Sequence, residues 1–188
     1  MTVLDARANR PLEGGPSFSL GNRLFRVAWG VAWFVLARWT PPPLHGWRRL
    51  ILRMFGARVS GTARVHASVR IWHPGNLELG DDVLVGPGTQ LYNQGRITIG
   101  ARTVVSQGAH LCASTHAVDD PHFQLLLRPI VIGRQCWIAA EAFVGPGVTI
   151  GDGAVLGARG ALFEDAEPFG VYRGNPAAKL RQRRLQTP

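Results

Sequence analysis

The chain has little cysteine, no long apolar run and no even spread of charge, and each absence excludes something. Two cysteines in 188 residues, Cys112 and Cys136, are too few to staple a small secreted scaffold. The first ten residues hold Asp5, Arg7 and Arg10 and no apolar stretch, so no secretory signal is read there and reduced thiols in the cytoplasm are expected. The longest apolar run, Val27 to Ala37, is closed by Arg26 and Arg38 and falls short of the roughly 20 residues that span a bilayer. What is present is ordinary for a globular chain: 46% hydrophobic residues, 18% charged residues and a mean hydropathy of +0.03. A disordered or collagenous chain is excluded.

The net charge of +9 is unevenly placed. Residues 1–78 carry 11 Arg against 3 acidic residues, residues 79–167 carry 5 Arg against 9, and residues 168–188 carry 4 Arg and 1 Lys against none. A nucleic-acid binder more often shows one basic stripe interleaved with aromatics, and no zinc-finger or RNA-recognition signature is present, so nucleic acid is not an expected partner. Basic ends on a neutral-to-acidic body suit anionic small molecules or an anionic membrane surface instead.

A repeat decides the fold class. From Val59 an aliphatic residue recurs every six positions: Val59, Val65, Ile71; after a two-residue insertion Leu79, Val85, Leu91; after another Ile99, Val105, Leu111; and after a longer break Ile132, Ile138, Val144, Ile150, Leu156, Leu162. Four residues behind each stands a small or β-branched residue, from Ala63 and Val69 through Cys136 to Ala166, and glycine often follows the aliphatic directly. Six residues suit a short strand plus a corner, and three such units close a triangular coil that hydrogen-bonds to the next coil in parallel at about 4.8 Å. The expected architecture is mainly β, a parallel β-helix of about five coils over residues 58–167 with a loop at 117–129. Residues 1–57 form an N-terminal extension with two helices, and residues 168–188 a basic tail. Residues 18–39 read as an amphipathic helix stopped by Pro41-Pro42-Pro43, with a second short helix at about 46–55. Capping the first coil is one role for these helices. The other is peripheral membrane contact through residues 18–39, where Trp29, Trp33, Phe34 and Trp39 flanked by arginines would lie in the interface.

These hexads, together with His45–Arg49, Arg53–Ala57, Ser106–Cys112, Ser114–His116, Asp120–Phe123, Pro129–Gly133, Trp137–Ala140 and Gly174–Ala177, resemble the hexapeptide-repeat acyltransferases, and among them the colanic-acid-type sugar O-acetyltransferases. The resemblance covers about residues 20–180. It implies a left-handed β-helix, a homotrimer, acetyl-CoA as co-substrate, a sugar acceptor and no metal.

Two arguments single out His116. The hexads break immediately after it, and acetyl transfer to a hydroxyl needs a base that titrates near neutrality. In the family the matching histidine is that base, and Asn93 matches an asparagine that completes the acceptor pocket across a subunit interface. Trp137, Ala140, Gly157 and Ala158 match positions lining the pantetheine cleft. Arg173 and Lys179 offer cations to the CoA phosphates. The chain departs from the family where Phe163-Glu164 replaces the usual Thr-Lys and where two alanines precede Lys179. His110, His116 and His122 stand six apart, and Pro121 occupies the place where a zinc hydratase of the same fold needs a histidine. Such a hydratase, an acetyltransferase for a non-sugar hydroxyl such as an antibiotic, and a non-catalytic solenoid are the alternatives.

Overall fold

In the computed structural model, residues 2–4, 12 and 15–184 are described, the first three by their backbone alone. The hexads form the three walls of a prism. The first wall stacks β2 (Arg58–Val59), β5 (Leu77–Leu79), β8 (Ile97–Ile99), β13 (Ile130–Ile132) and β16 (Thr149–Ile150). The second stacks β3 (Arg64–Val65), β6 (Leu84–Val85), β9 (Val104–Val105), β14 (Trp137–Ile138), β17 (Val155–Leu156) and β19 (Gly170–Arg173), and the third β4 (Arg70–Ile71), β7 (Gln90–Tyr92), β10 (His110–Cys112), β15 (Phe143–Val144) and β18 (Ala161–Leu162). All these neighbours pair in parallel, as a solenoid requires. The fifteen hexad aliphatics fill the axis, none more than 8% exposed. Burying a column of Val, Leu and Ile at about 25 cal/mol per Å² of apolar surface is what holds the coils in register.

The glycines that follow the aliphatics are there for clearance rather than for their backbone angles. A Cβ on Gly100 would stand 2.6 Å from the carbonyl carbon of Gly133, one coil above, and one on Gly80 would stand 2.8 Å from the amide of Ala101. Neither residue has positive φ. The left-handed corner positions fall elsewhere, at Gly88, Gly108 and Gly153 and at Asp82, Arg102 and Glu141.

Two segments depart from the simple prism. Chain departure precedes His116: β11 (Ser114–His116) already lies off the prism, paired antiparallel with β12 (Leu125–Leu127), so the loop is an arm with its own ladder. Its neck is tied where the Arg128 amide donates to the Ala113 carbonyl at 2.9 Å. The arm gains a third strand from β1 (Thr2–Leu4), antiparallel to β12. At the other end the solenoid runs past residue 167, since β19 adds to the second wall and β20 (Ala178–Gln182) folds back on it antiparallel.

The N-terminal helices cover the open first coil, and they do so by satisfying its edge. α1 (Leu20–Leu36) starts at Ser19, whose hydroxyl accepts from the Asn22 amide, and it turns Trp29, Trp33 and Ala37 inward. The Trp29 indole donates to the Ile71 carbonyl at 2.8 Å. From α2 (His45–Met54), Arg48 Nε donates to the Val65 carbonyl at 2.7 Å, Arg49 to the Ala63 carbonyl at 2.8 Å, and Arg53 Nε and Nη2 to the Val59 carbonyl at 2.9 and 2.6 Å. A bare edge strand is a row of unpaired carbonyls, and this one is closed by guanidinium groups. Arg48 also donates to the Pro41 and Pro42 carbonyls, fixing the proline turn between the helices, and it is fully buried. Three of the arginines behind the N-terminal charge excess are therefore engaged with backbone rather than with an outside anion.

Candidate active site

His116 lies at the end of β11, half-buried, with its Nδ1 2.9 Å from the carbonyl oxygen of Phe123 on the returning side of the arm. A carbonyl can only accept, so Nδ1 carries a proton, and in the neutral ring Nε2 is the nitrogen with the lone pair. The Phe123 ring stacks on the imidazole at 4.1 Å and 11°, fixing the second degree of freedom. Phe123 itself has φ +52, an uncommon conformation for a bulky side chain, at the residue that supplies both contacts. Asp119 and Asp120 do not orient the ring; Asp120 accepts from the His122 amide across a tight turn.

His116 opens on a cavity of about 510 Å³ between the arm, the third wall and the start of α1. Ser114 and Thr115 line it from the arm, Cys112, Tyr92, Gln94 and Trp72 from the solenoid, and Phe18, Arg23 and Arg26 from the N-terminal segment. Gln94 donates to the Tyr92 hydroxyl at 2.8 Å, while its Oε1 is buried with no hydrogen-bond partner. Burial pushes the Tyr92 phenol above its ordinary pKa, so it remains a neutral donor and acceptor. The Arg26 guanidinium lies 4.3 Å from the centroid of the Trp72 ring and 5.8 Å from that of Phe18. Arg23, Arg26, Trp72, Tyr92 and Gln94 were missed in the sequence because nothing in the hexad cadence tells where α1 will lie.

Asn93 is not brought to this cavity. Its side chain is fully buried, with Oδ1 accepting from the Trp72 and His73 amides at 3.0 and 3.1 Å and Nδ2 donating to the His73 carbonyl at 2.7 Å. The two-residue insertions after Ile71 and Leu91 fall at the same corner of successive coils; there the Trp72 amide keeps its bond to the Leu91 carbonyl at 3.1 Å, and the Asn93 side chain ties down the His73 amide and carbonyl. Its neighbours on either side, Tyr92 and Gln94, face the cavity instead.

The remaining predicted residues gather elsewhere, along the second wall and the corner that follows it. Trp137, 48% exposed, pairs with Val104 and Val155 and donates its indole N–H to Ser106 Oγ at 3.0 Å. It lines a groove of about 460 Å³ with Arg102, Gln135 and Arg183. Ala140, Gly157, Ala158 and Arg173 stack at the next corner: the Ala140 carbonyl accepts from Arg159, and the Gly157 amide donates to the Tyr172 carbonyl. Among the described residues the amides of Ala140 and Ala158 donate to nothing, which leaves them open to an extended amide-bearing chain. A Cβ on Gly157 would crowd the Tyr172 carbonyl at 3.2 Å. Lys179 is paired with Glu167 at 2.5 Å, whereas Arg173 is exposed and makes no ion pair among the described residues. Within one chain this edge and the His116 cavity share no lining residue.

The three spaced histidines are dispersed. His110 sits on the third wall, edge-on to Tyr92 and Phe143, and His122 lies in the turn of the arm. Among the described residues no three His, Cys, Asp or Glu side chains come together in a way that could hold a metal ion.

The three-walled solenoid has counterparts among known transferases, in sequence and in fold. Residues 129–159 match the family model "Bacterial transferase hexapeptide (six repeats)". The chain is 43% identical over 166 residues to the protein of Escherichia coli K12 assigned as the colanic acid biosynthesis acetyltransferase WcaF, covering 88% of this chain and 91% of that one. Its fold is similar to that of a maltose O-acetyltransferase from Clostridium difficile 630, with a TM-score of 0.79 at 21% identity over 89% of this chain and 90% of the other. It is also similar to the hexapeptide-repeat acetyltransferase VCA0836 of Vibrio cholerae, solved with acetyl-CoA, with a TM-score of 0.78 at 20% identity over 91% and 93%. The chain belongs to the hexapeptide-repeat acetyltransferases.

Proposed function

We propose that the protein transfers an acetyl group from acetyl-CoA to a hydroxyl of a sugar or saccharide precursor, with His116 as the general base. The observation that carries this reading is the imidazole held by the Phe123 carbonyl with Nε2 left as a base beside a polar cavity. The acceptor hydroxyl gives its proton to Nε2 as its oxygen attacks the thioester carbonyl. The tetrahedral intermediate then collapses, the C–S bond breaks, and the imidazolium returns the proton to the departing CoA sulfur. No acyl-enzyme forms. Gln94 Oε1 and the Tyr92 hydroxyl supply acceptor contacts in place of Asn93.

The donor lies along the second wall, with pantetheine against the open amides of Ala140 and Ala158, Gly157 giving it clearance, and Trp137 beside it. Arg173 is the available cation for the phosphates, and Lys179 serves only if Glu167 releases it. Because the donor edge and the His116 cavity are separate within one chain, a complete site takes one from each of two neighbours in a homotrimer. The enzyme works in the cytoplasm, with the outer face of α1 against the inner membrane surface: Leu24, Val27, Val31, Phe34 and Val35 are all more than half exposed there. Of the aromatics expected in that interface, Trp29 and Trp33 turn inward, and Phe34 and Trp39 remain outside.

The test is turnover of His116→Ala with acetyl-CoA and a panel of sugar acceptors, read by thiol release. A loss of about 10²-fold or more in kcat with CoA affinity unchanged is expected. Unchanged turnover overturns the assignment.

A further inference from the structure

The His116 cavity carries charge of one sign. Arg23 and Arg26 line it, and among the described residues its lining holds no aspartate or glutamate. Neither arginine makes an ion pair among the described residues. Arg26 donates only its Nε, to Asn22 Oδ1 at 3.1 Å, and lies over the Trp72 ring, so its terminal nitrogens have no protein acceptor among the described residues. A second demand comes from Gln94, which is 8% exposed: its Nε2 holds the Tyr92 hydroxyl, and its Oε1 is buried without a partner. Such an atom calls for an O–H or N–H from a ligand. Tyr92 stays neutral, its pKa raised by burial, and adds no negative charge to offset the arginines. A neutral sugar answers Gln94 with a hydroxyl but gives the guanidinium groups only uncharged oxygens. A sugar that bears a carboxylate answers both, because the two carboxylate oxygens match the guanidinium fork and the bonds are charge-assisted. The volume of about 510 Å³ admits a ligand of that size.

We propose that the acceptor sugar is a sugar acid, with its ring carboxylate on Arg26 and Arg23, one hydroxyl donating to Gln94 Oε1 and the reacting hydroxyl at His116 Nε2. This rests on the acetyltransferase reading and names the substrate class for it. The carboxylate takes no part in the proton transfer or in the breaking of the thioester. It fixes the ring at two points, and so decides which hydroxyl reaches the base.

The test is calorimetric binding to the full-length protein of two matched pairs of methyl glycosides, glucuronide against glucoside and galacturonide against galactoside. Each pair differs only by a carboxylate in place of a hydroxymethyl group. Acetate, glucose 6-phosphate and acetyl-CoA are measured alongside. At least one uronide should bind about tenfold or more tightly than its neutral partner, acetate or glucose 6-phosphate, should weaken as salt is raised, and should not be displaced by CoA. Arg26→Gln should bring that uronide down to the level of the neutral glycoside, and Arg23→Gln, at a more exposed position, should weaken it by a smaller factor. Gln94→Leu should weaken uronide and neutral glycoside alike, and all three variants should melt within a few degrees of the parent protein. Uronides no tighter than their neutral partners remove the anion from the proposal, equal binding of acetate removes the sugar, equal binding of glucose 6-phosphate puts phosphate in place of the carboxylate, and displacement by CoA assigns the arginines to the donor; each overturns it. So does unchanged uronide affinity in both arginine variants. If acetyl-CoA binds and neither uronide does, the sugar acid alone falls; if acetyl-CoA itself does not bind, the acetyltransferase reading falls.

Discussion

The two N-terminal helices are both arginine-bearing and both amphipathic, yet they use the same side chain in opposite ways. On α2, Arg48, Arg49 and Arg53 are aimed at the carbonyls of the first coil and finish its open edge. On α1, Arg23 and Arg26 line a cavity with no acidic partner among the described residues. The difference teaches that a basic segment has to be read by what its guanidinium groups touch. A charge count assigns all of these residues to one attraction for anions, and the hydrogen bonds divide them into structural caps and candidate ligand contacts.

Breaking the α2 side of that comparison should have the largest effect on stability. Arg48→Met leaves the Pro41 and Pro42 carbonyls without their Arg48 donor and the Val65 carbonyl with only His45 Nδ1 at 3.0 Å, and should lower unfolding stability by about 3 kcal/mol, read from urea midpoints at fixed protein concentration. Arg53→Ala exposes only the Val59 carbonyl and should cost about 1–2 kcal/mol by the same measurement. On the α1 side, Arg26→Ala gives up one side-chain hydrogen bond and a stacked ring contact, so its cost should stay near 1 kcal/mol while KM for the acceptor rises. Smallest of all, Val27→Asp with Val31→Asp on the exposed face should change stability by about 0.5 kcal/mol or less and abolish co-sedimentation with anionic vesicles. A truncation of residues 1–40 would be a poor substitute, because it removes the Trp29 and Trp33 cap together with the exposed face.

Acid should sharpen the same comparison, since the histidines that pack against the cap and the walls are the ones perturbed. Desolvation by burial lowers the pKa of His45, His66, His73 and His110 below the ordinary 6.5. The neighbouring Arg48 and Arg64 reinforce this at His45 and His66. A base whose folded pKa is depressed binds fewer protons folded than unfolded below 6.5, so its contribution is present above that pH and is lost as pH falls through the window beneath it. The melting temperature should therefore drop between pH 7.5 and 5.5, and a flat profile would contradict the burial of these rings.

The prism was legible because one physical demand, a filled axis, repeats at every sixth residue and leaves its mark fifteen times. His116 stands out as a candidate for the complementary reason, that it sits where the demand lapses. What stayed hidden came from packing between segments distant in sequence. Nothing in the order of residues tells that α1 will lay Arg26 over Trp72, that the Phe123 carbonyl rather than a carboxylate will hold His116, or that Asn93 will be spent stitching two insertions together. The arm also begins earlier than the hexad phase suggests: Thr115 fits the small-residue column by spacing but belongs to the antiparallel ladder outside the prism. Where glycine follows the aliphatic it marks real tightness, although its cause is the approach of the neighbouring coil rather than a turn in its own backbone.

The central claim is that His116 presents a neutral Nε2 to the acceptor because its Nδ1 proton is held by the Phe123 carbonyl. Nitrogen-15 spectra of the histidine-labelled protein at neutral pH, with His116 assigned by loss of its signals in His116→Ala, test this directly. The account predicts the Nδ1–H tautomer for His116; a His116 found as the Nε2–H tautomer would contradict it.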